Sequence, residues 1–119
     1  VLIKGNNNKC DINYHVISEN GYSKSKVSVK ANKNTFGNVI TENLKGLKEG
    51  GNILIEPILE IDTNEVEASH FVTIGTYDEA SLLYLNTLGI KEIDAKKLLK
   101  KSFMLSIFDD NFKKEVNYE

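Results

Sequence analysis

The apolar residues of this chain change period near Asp78, and that change constrains the fold more than any other feature. Upstream they alternate with polar neighbours in short runs: Ile12, Tyr14 and Val16; Val27 and Val29; Ile53 and Ile55; Leu59 and Ile61 after Pro57. Period-two alternation marks half-buried strands. Asn20-Gly21 and Gly50-Gly51 interrupt the runs with residues that accept the positive φ of turns. An antiparallel meander and successive coils of a parallel β-helix both fit, because Asn-Gly serves a hairpin or a coil corner. Downstream, Leu82, Leu83, Leu85 and Leu88 follow helical spacing and Gly89 ends the run, which predicts a helix over Asp78–Leu88 with Thr76 or Asp78 as its cap. A second helix is predicted from Glu92 through Phe108. Its apolar stripe is Ile93, Leu98, Leu99, Met104, Leu105 and Phe108, with Lys96, Lys97, Lys100 and Lys101 facing water. Asp109-Asp110 predicts the cap of a third, short helix.

At 119 residues the chain is one domain or part of one, and its 40% hydrophobic content supports a core. It opens on Val1 with no Met and no signal-peptide pattern, which predicts a fragment of a longer protein. No apolar run is long enough to cross a membrane. All 15 basic residues are Lys, and the net charge of −2 lacks the concentrated positive footprint of a nucleic-acid binder. The abundant Asn and absent Arg read as AT-rich codon usage. A lone Cys10 forms no internal disulfide, so a reducing compartment is expected.

Enzyme signatures are absent. Gly46, Gly50 and Gly51 lack the helix and Lys-Ser/Thr of a phosphate loop, and no nucleophile elbow is present. With zero Trp, no acid pair sits in a glycosidase-like aromatic setting. His15 reads as a solvated strand residue, Cys10 as incidental, and Lys24-Ser-Lys26-Val-Ser-Val-Lys30 as the outer face of a strand. On strict alternation Val66, Ala68, His70, Val72 and Ile74 share one face. His70 could be a satisfied core imidazole or a ligand for iron, and as a ligand it needs donors from another chain, because none lies near it in sequence.

The ordered series Pro57-Ile-Leu-Glu-Ile61, Val66, Ser69-His70, Thr73-Ile74-Gly75, Asp78, Leu82-Leu83-Tyr84-Leu85, Gly89-Ile90, Ala95 and Phe103 resembles the C-terminal part of the SufB/SufD family. These are the paired scaffold proteins of the SUF iron-sulfur cluster assembly system, and the likeness is nearer to the SufD member. The sequence departs from the family pattern at Phe71-Val72, where Gly-Ala is usual, at Leu88 in place of Arg, and at Lys91 in place of a helix-capping Ser. Ala68 stands where many SufD sequences carry Cys, and Gly51 falls about where SufB carries its acceptor Cys.

The resemblance implies a mainly β fold with C-terminal α: right-handed parallel β-helix coils over residues 1–75, then a small helical domain over 76–119. It implies no catalytic residue. His70, with Ser69 and Glu67, would mark the cluster-assembly interface, and His70 would be the candidate metal ligand. Tyr84, Leu85 and Phe103 would belong to the partner-docking surface. The implied partners are a SufB-like subunit and a SufC-like ABC ATPase, with an iron-sulfur cluster held transiently at an interface and no cofactor bound by this chain alone. Homodimerisation through an uncapped coil end is a further expectation. The implied compartment is a plastid (apicoplast-like) stroma or a bacterial cytoplasm. A degenerate β-helix interaction module without assembly activity is the competing reading, and a β-helix carbohydrate enzyme would need an aromatic-lined groove.

Overall fold

The computed structural model describes residues 1–63 and 65–108. Six strands come first: β1 (Leu2–Ile3), β2 (Lys9–Ser18), β3 (Gly21–Ala31), β4 (Val39–Lys48), β5 (Gly51–Ile61) and β6 (Glu67–Gly75). Two helices follow, α1 (Glu79–Thr87) and α2 (Glu92–Leu105). The expected third helix lies outside the described residues.

Every strand pairing is parallel. Odd strands form one sheet in the order β1-β3-β5, and even strands form another in the order β2-β4-β6. The chain therefore alternates between two sheets, and each β2-β3 or β4-β5 pair makes one coil. Lys9 lies beside Val39 and Gly21 beside Gly51, a repeat of 30 residues. The architecture is β-helix-like. Asn20-Gly21 is thus a coil corner, not a hairpin: Gly21, at φ +92°, opens a strand of the other sheet. Gly50, at φ +82°, occupies the same corner one coil later.

Alternation explains what is inside. Ile40, Leu44 and Leu47 of β4 are buried with Ile3, Val29, Ala31 and Ile55 of the facing sheet. Cys10, Ile12, Leu59, Ile61 and Val66 pack on this core from its margins. Lys24, Lys26 and Lys30 lie on the outer face of β3, where Lys26 and Lys30 reach the register partners Glu56 and Glu60 at 3.9 and 4.0 Å. Such exposed pairs contribute less than about 1 kcal/mol each.

The opposite corners use asparagine. The buried Asn38 accepts from the Asn8 amide through Oδ1 at 2.9 Å and donates Nδ2–H to the Gly5 carbonyl at 2.9 Å. Its own carbonyl accepts from the Glu67 amide at 3.0 Å, so one residue ties three successive corners. Asn6 accepts from the Phe36 amide at 2.9 Å, and Asn7 and Asn34 take positive φ. Codon bias alone does not account for these asparagines, since buried corner amides need such partners.

At the helical end, Asp78 caps α1, accepting from the Ser81 amide at 3.2 Å and its hydroxyl at 2.6 Å. Those bonds hold its carboxyl below the usual range. Gly89, at φ +82°, ends the turn. α2 begins at Lys91 without a side-chain cap and stops at Leu105, short of the expected Phe108.

The faces of α2 are also turned relative to expectation. Lys100 is only 22% exposed and points to the coil, with Nζ 2.6 Å from Glu49 and 2.8 Å from Glu19. Ile93, at 65% exposure, Leu98 and Met104 look outward. The cause is the coil: Glu19 and Glu49 occupy one corner of successive turns, joined by the Glu49 amide to Ser18 carbonyl bond of 2.8 Å. Together they make an acidic ledge that selects the lysine face. Tyr77 donates its hydroxyl to Glu49 at 2.6 Å, and Lys96 lies 5.6 Å from its ring centroid. Lys100 and Tyr77 hold Glu49 below the ordinary carboxylate range, while burial and Glu49 push Tyr77 up to about 12.

His15 is the second anchor, not a solvated residue. Its ring stacks on Phe103 at 4.6 Å, and Nδ1–H donates to the Phe103 carbonyl at 2.8 Å. Burial depresses its pKa and nearby Lys45 adds to this, against the opposing bond to Phe103. Because the docked state holds the proton less firmly than the free chain, attachment of α2 weakens as pH falls through about 6.5 toward the lower docked value. The protection factors of the α2 amides, taken relative to the intrinsic exchange rate at each pH, are accordingly expected to be lower at pH 5.5 than at pH 7.5, and the His15→Gln variant should lose most of that difference.

Candidate functional site

The last described strand presents the site. β6 pairs with β4 through Val39↔Glu67, Thr41↔Ser69 and Glu42↔His70, and among the described residues no strand pairs its outer edge. Nor does the facing sheet extend past β5 to cover it. Alternation places Ala68, His70, Val72 and Ile74 on the face that continues the coil interior, as expected. Yet His70, Val72 and Ile74 are exposed there, since among the described residues no strand lies beyond β6 to cover them. Ser69 and Glu67 point the other way, so they precede His70 in sequence without sharing its face.

Beneath His70 lies a residue that the sequence reading passed over. Glu42 sits between Ile40 and Leu44 on β4, on the inward face, and is 0% exposed. Its register neighbours are Ile12 on β2 and His70 on β6. Among the described residues neither carboxylate oxygen has a hydrogen-bond partner. Burial pushes its pKa up, and the charge of His70 pulls the other way. The signal was present: Ile40-x-Glu42-x-Leu44 puts a carboxylate in phase with two core residues.

The helical candidates lie apart from this strand. Tyr84 and Leu85 line a shallow groove with Asp78, Ala80, Ser81 and Leu99. Tyr84 is 63% exposed. Phe103 is not in that groove, since its ring is stacked on His15. Cys10 is half-buried beside Ile40, on a different rung from Glu42 and His70. Among the described residues no three His, Cys, Asp or Glu side chains gather closely enough to hold a metal ion. No described helix is long and apolar enough to cross a membrane.

Parallel coils followed by two helices fit the resemblance, and comparison with known proteins decides the family. The family profile described as SUF system FeS cluster assembly, SufBD core domain, matches residues 1–103. This chain belongs to the SufBD core family. It is 31% identical over 65 residues to the iron-sulfur cluster assembly protein SufD of Escherichia coli (strain K12). The match spans 51% of this chain and 15% of that protein. Within the SufBD core match fall the six described strands, the corners between them, His70, Glu42 and most of α2.

Proposed function

We propose that this chain is the C-terminal part of a SufD-like, non-catalytic subunit of the SUF iron-sulfur cluster assembly scaffold, with a right-handed coil. β6 would meet a SufB-like subunit, and the outward face of α1 and α2 would dock a SufC-like ABC ATPase. The observation that carries this reading is the β6 strand: among the described residues no strand pairs its outer edge, and His70 is exposed on the face that continues the interior. Unpaired edges recruit further strands, and a neutral imidazole ligates iron. Because the chain supplies one such donor on β6, the nascent cluster is cargo completed by donors from the partner. The exposed Leu83, Tyr84, Leu88 and Ile93 support the helical docking surface, since α1 has no buried residue of its own.

The test is cluster formation in the reassembled complex of SufB-like, SufC-like and this subunit, read by visible absorption. His70→Ala should lower the yield about tenfold or more, the scale of losing a metal-site residue, while leaving complex formation intact. Unaltered cluster yield in a correctly assembled complex would remove His70 from the site. Failure of the subunit to bring down the ATPase would favour the interaction module without assembly activity.

A further inference from the structure

We propose that Glu42 is the second protein donor at His70, so that the chain offers a carboxylate–imidazole pair to a divalent first-row metal ion of the ferrous class. The inference rests on the reading of His70 given above and adds a ligand to it. Glu42 is fully enclosed, yet both of its oxygens lack partners among the described residues. An ionised carboxylate held this way is costly unless something positive meets it. Its lateral neighbours within the sheet are Ile12 on one side and His70 on the other. The charges that act on the carboxylate are those of His70 and the Val1 ammonium, and His70 is the one in register with it, exposed on the edge strand β6.

The spacing suits a shared ion. Adjacent strands lie about 4.8 Å apart, and in-register side chains on one face project side by side. An ion bound about 2.1 Å from an imidazole nitrogen and a carboxylate oxygen fits between such neighbours. Oxygen and imidazole donors without thiolate favour ferrous, manganous or zinc ions over soft cuprous ion. Two protein donors leave the remaining positions to water or to a partner chain. An apolar residue in the Ile40–Leu44 row would serve the coil better than Glu42, which is the reason for assigning the carboxylate a task other than packing.

Co2+ serves as the probe, titrated into the full chain and followed by its visible d–d absorption and by paramagnetic shifts of the His70 ring protons. One Co2+ is expected to bind with His70 shifted. Glu42→Gln, nearly isosteric and uncharged, should weaken binding about tenfold or more, with circular dichroism unchanged. His70→Ala should weaken it at least as much, and Cys10→Ser should leave it as in the wild type. If Glu42→Gln binds Co2+ like the wild type while His70→Ala does not, Glu42 is no ligand and the inference falls, leaving the reading of His70 standing. If the wild type binds no Co2+, or binds it without shifting His70, the pair is not a metal site and the inference falls. Whether the reading of His70 falls as well is then decided separately by cluster yield with His70→Ala in the reassembled complex.

Discussion

Leu44→Ala is expected to cost about 3–5 kcal/mol of folding stability, the range for emptying a core site that cannot collapse. Leu44 is 0% exposed on β4, the central strand of its sheet, between Tyr14 on β2 and Val72 on β6. Both edges of β4 are fixed by ladders of backbone hydrogen bonds, so the strand cannot move in to fill the gap without breaking register on two sides. Among the described residues the buried apolar set is small: Ile3, Val29, Ala31, Ile40, Leu44, Leu47, Ile55 and Ala95. Against a typical domain stability of about 5–15 kcal/mol, one such loss is a large fraction of the total. Urea unfolding measures it. Leu44→Met, which nearly conserves volume, should cost less than about 1.5 kcal/mol. A Leu44→Ala loss no greater than that of Leu44→Met would mean that the two sheets do not close on this side chain.

The corner at Gly51 should be nearly as sensitive. A Cβ there would run into the Ser18 hydroxyl and lie 2.8 Å from the Gly21 carbonyl oxygen. Ser18 is buried, and its carbonyl accepts the Glu49 amide that joins one coil to the next. Gly51→Ala therefore has to push apart two stacked corners, an overpacking cost of about 2–3 kcal/mol. Ser18→Ala in the same chain should recover only part of it, because the backbone carbonyl remains in the way. Gly21→Ala offers the contrast. No atom lies within 4 Å of a Cβ there, so its cost is only the strain of φ +92°, about 1–2 kcal/mol. A Gly51→Ala variant as stable as the wild type would contradict the stacking of these corners.

These two sites show what alternation and turn chemistry reveal and where they stop. The pattern of Ile12, Tyr14, Val16, Val27 and Val29 located strands and assigned their faces, and Asp78 and Gly89 marked the limits of α1 because capping is a local interaction. Choosing coil over hairpin at Asn20-Gly21 needed the resemblance, since both use the same dipeptide. What stayed hidden depended on the 30-residue register. Glu19 and Glu49 form a ledge only when stacked, so the lysine face of α2 read as solvent-facing although Lys100 is bound there. His15 looked solvated because Phe103, which covers it, lies 88 positions away. Glu42 was legible in phase, but its isolation becomes visible only when the side chains around its oxygens are placed. His70 was assigned to the correct face. Its exposure follows from β6 having no later strand beside it among the described residues, which no local pattern encodes.

A sister scaffold subunit is expected to attach at the edge of β6 that no described strand pairs, with His70 on its interior face. Hydrogen–deuterium exchange on the chain alone and with a SufB-like subunit addresses it directly, because half the amides of Glu67–Gly75 point away from β4, to the edge that no described strand pairs. Slower exchange across Glu67–Gly75 on adding the subunit is the predicted result. Unchanged exchange along β6, with new protection confined to the helices or to the β1 and β2 end of the coil, would contradict it.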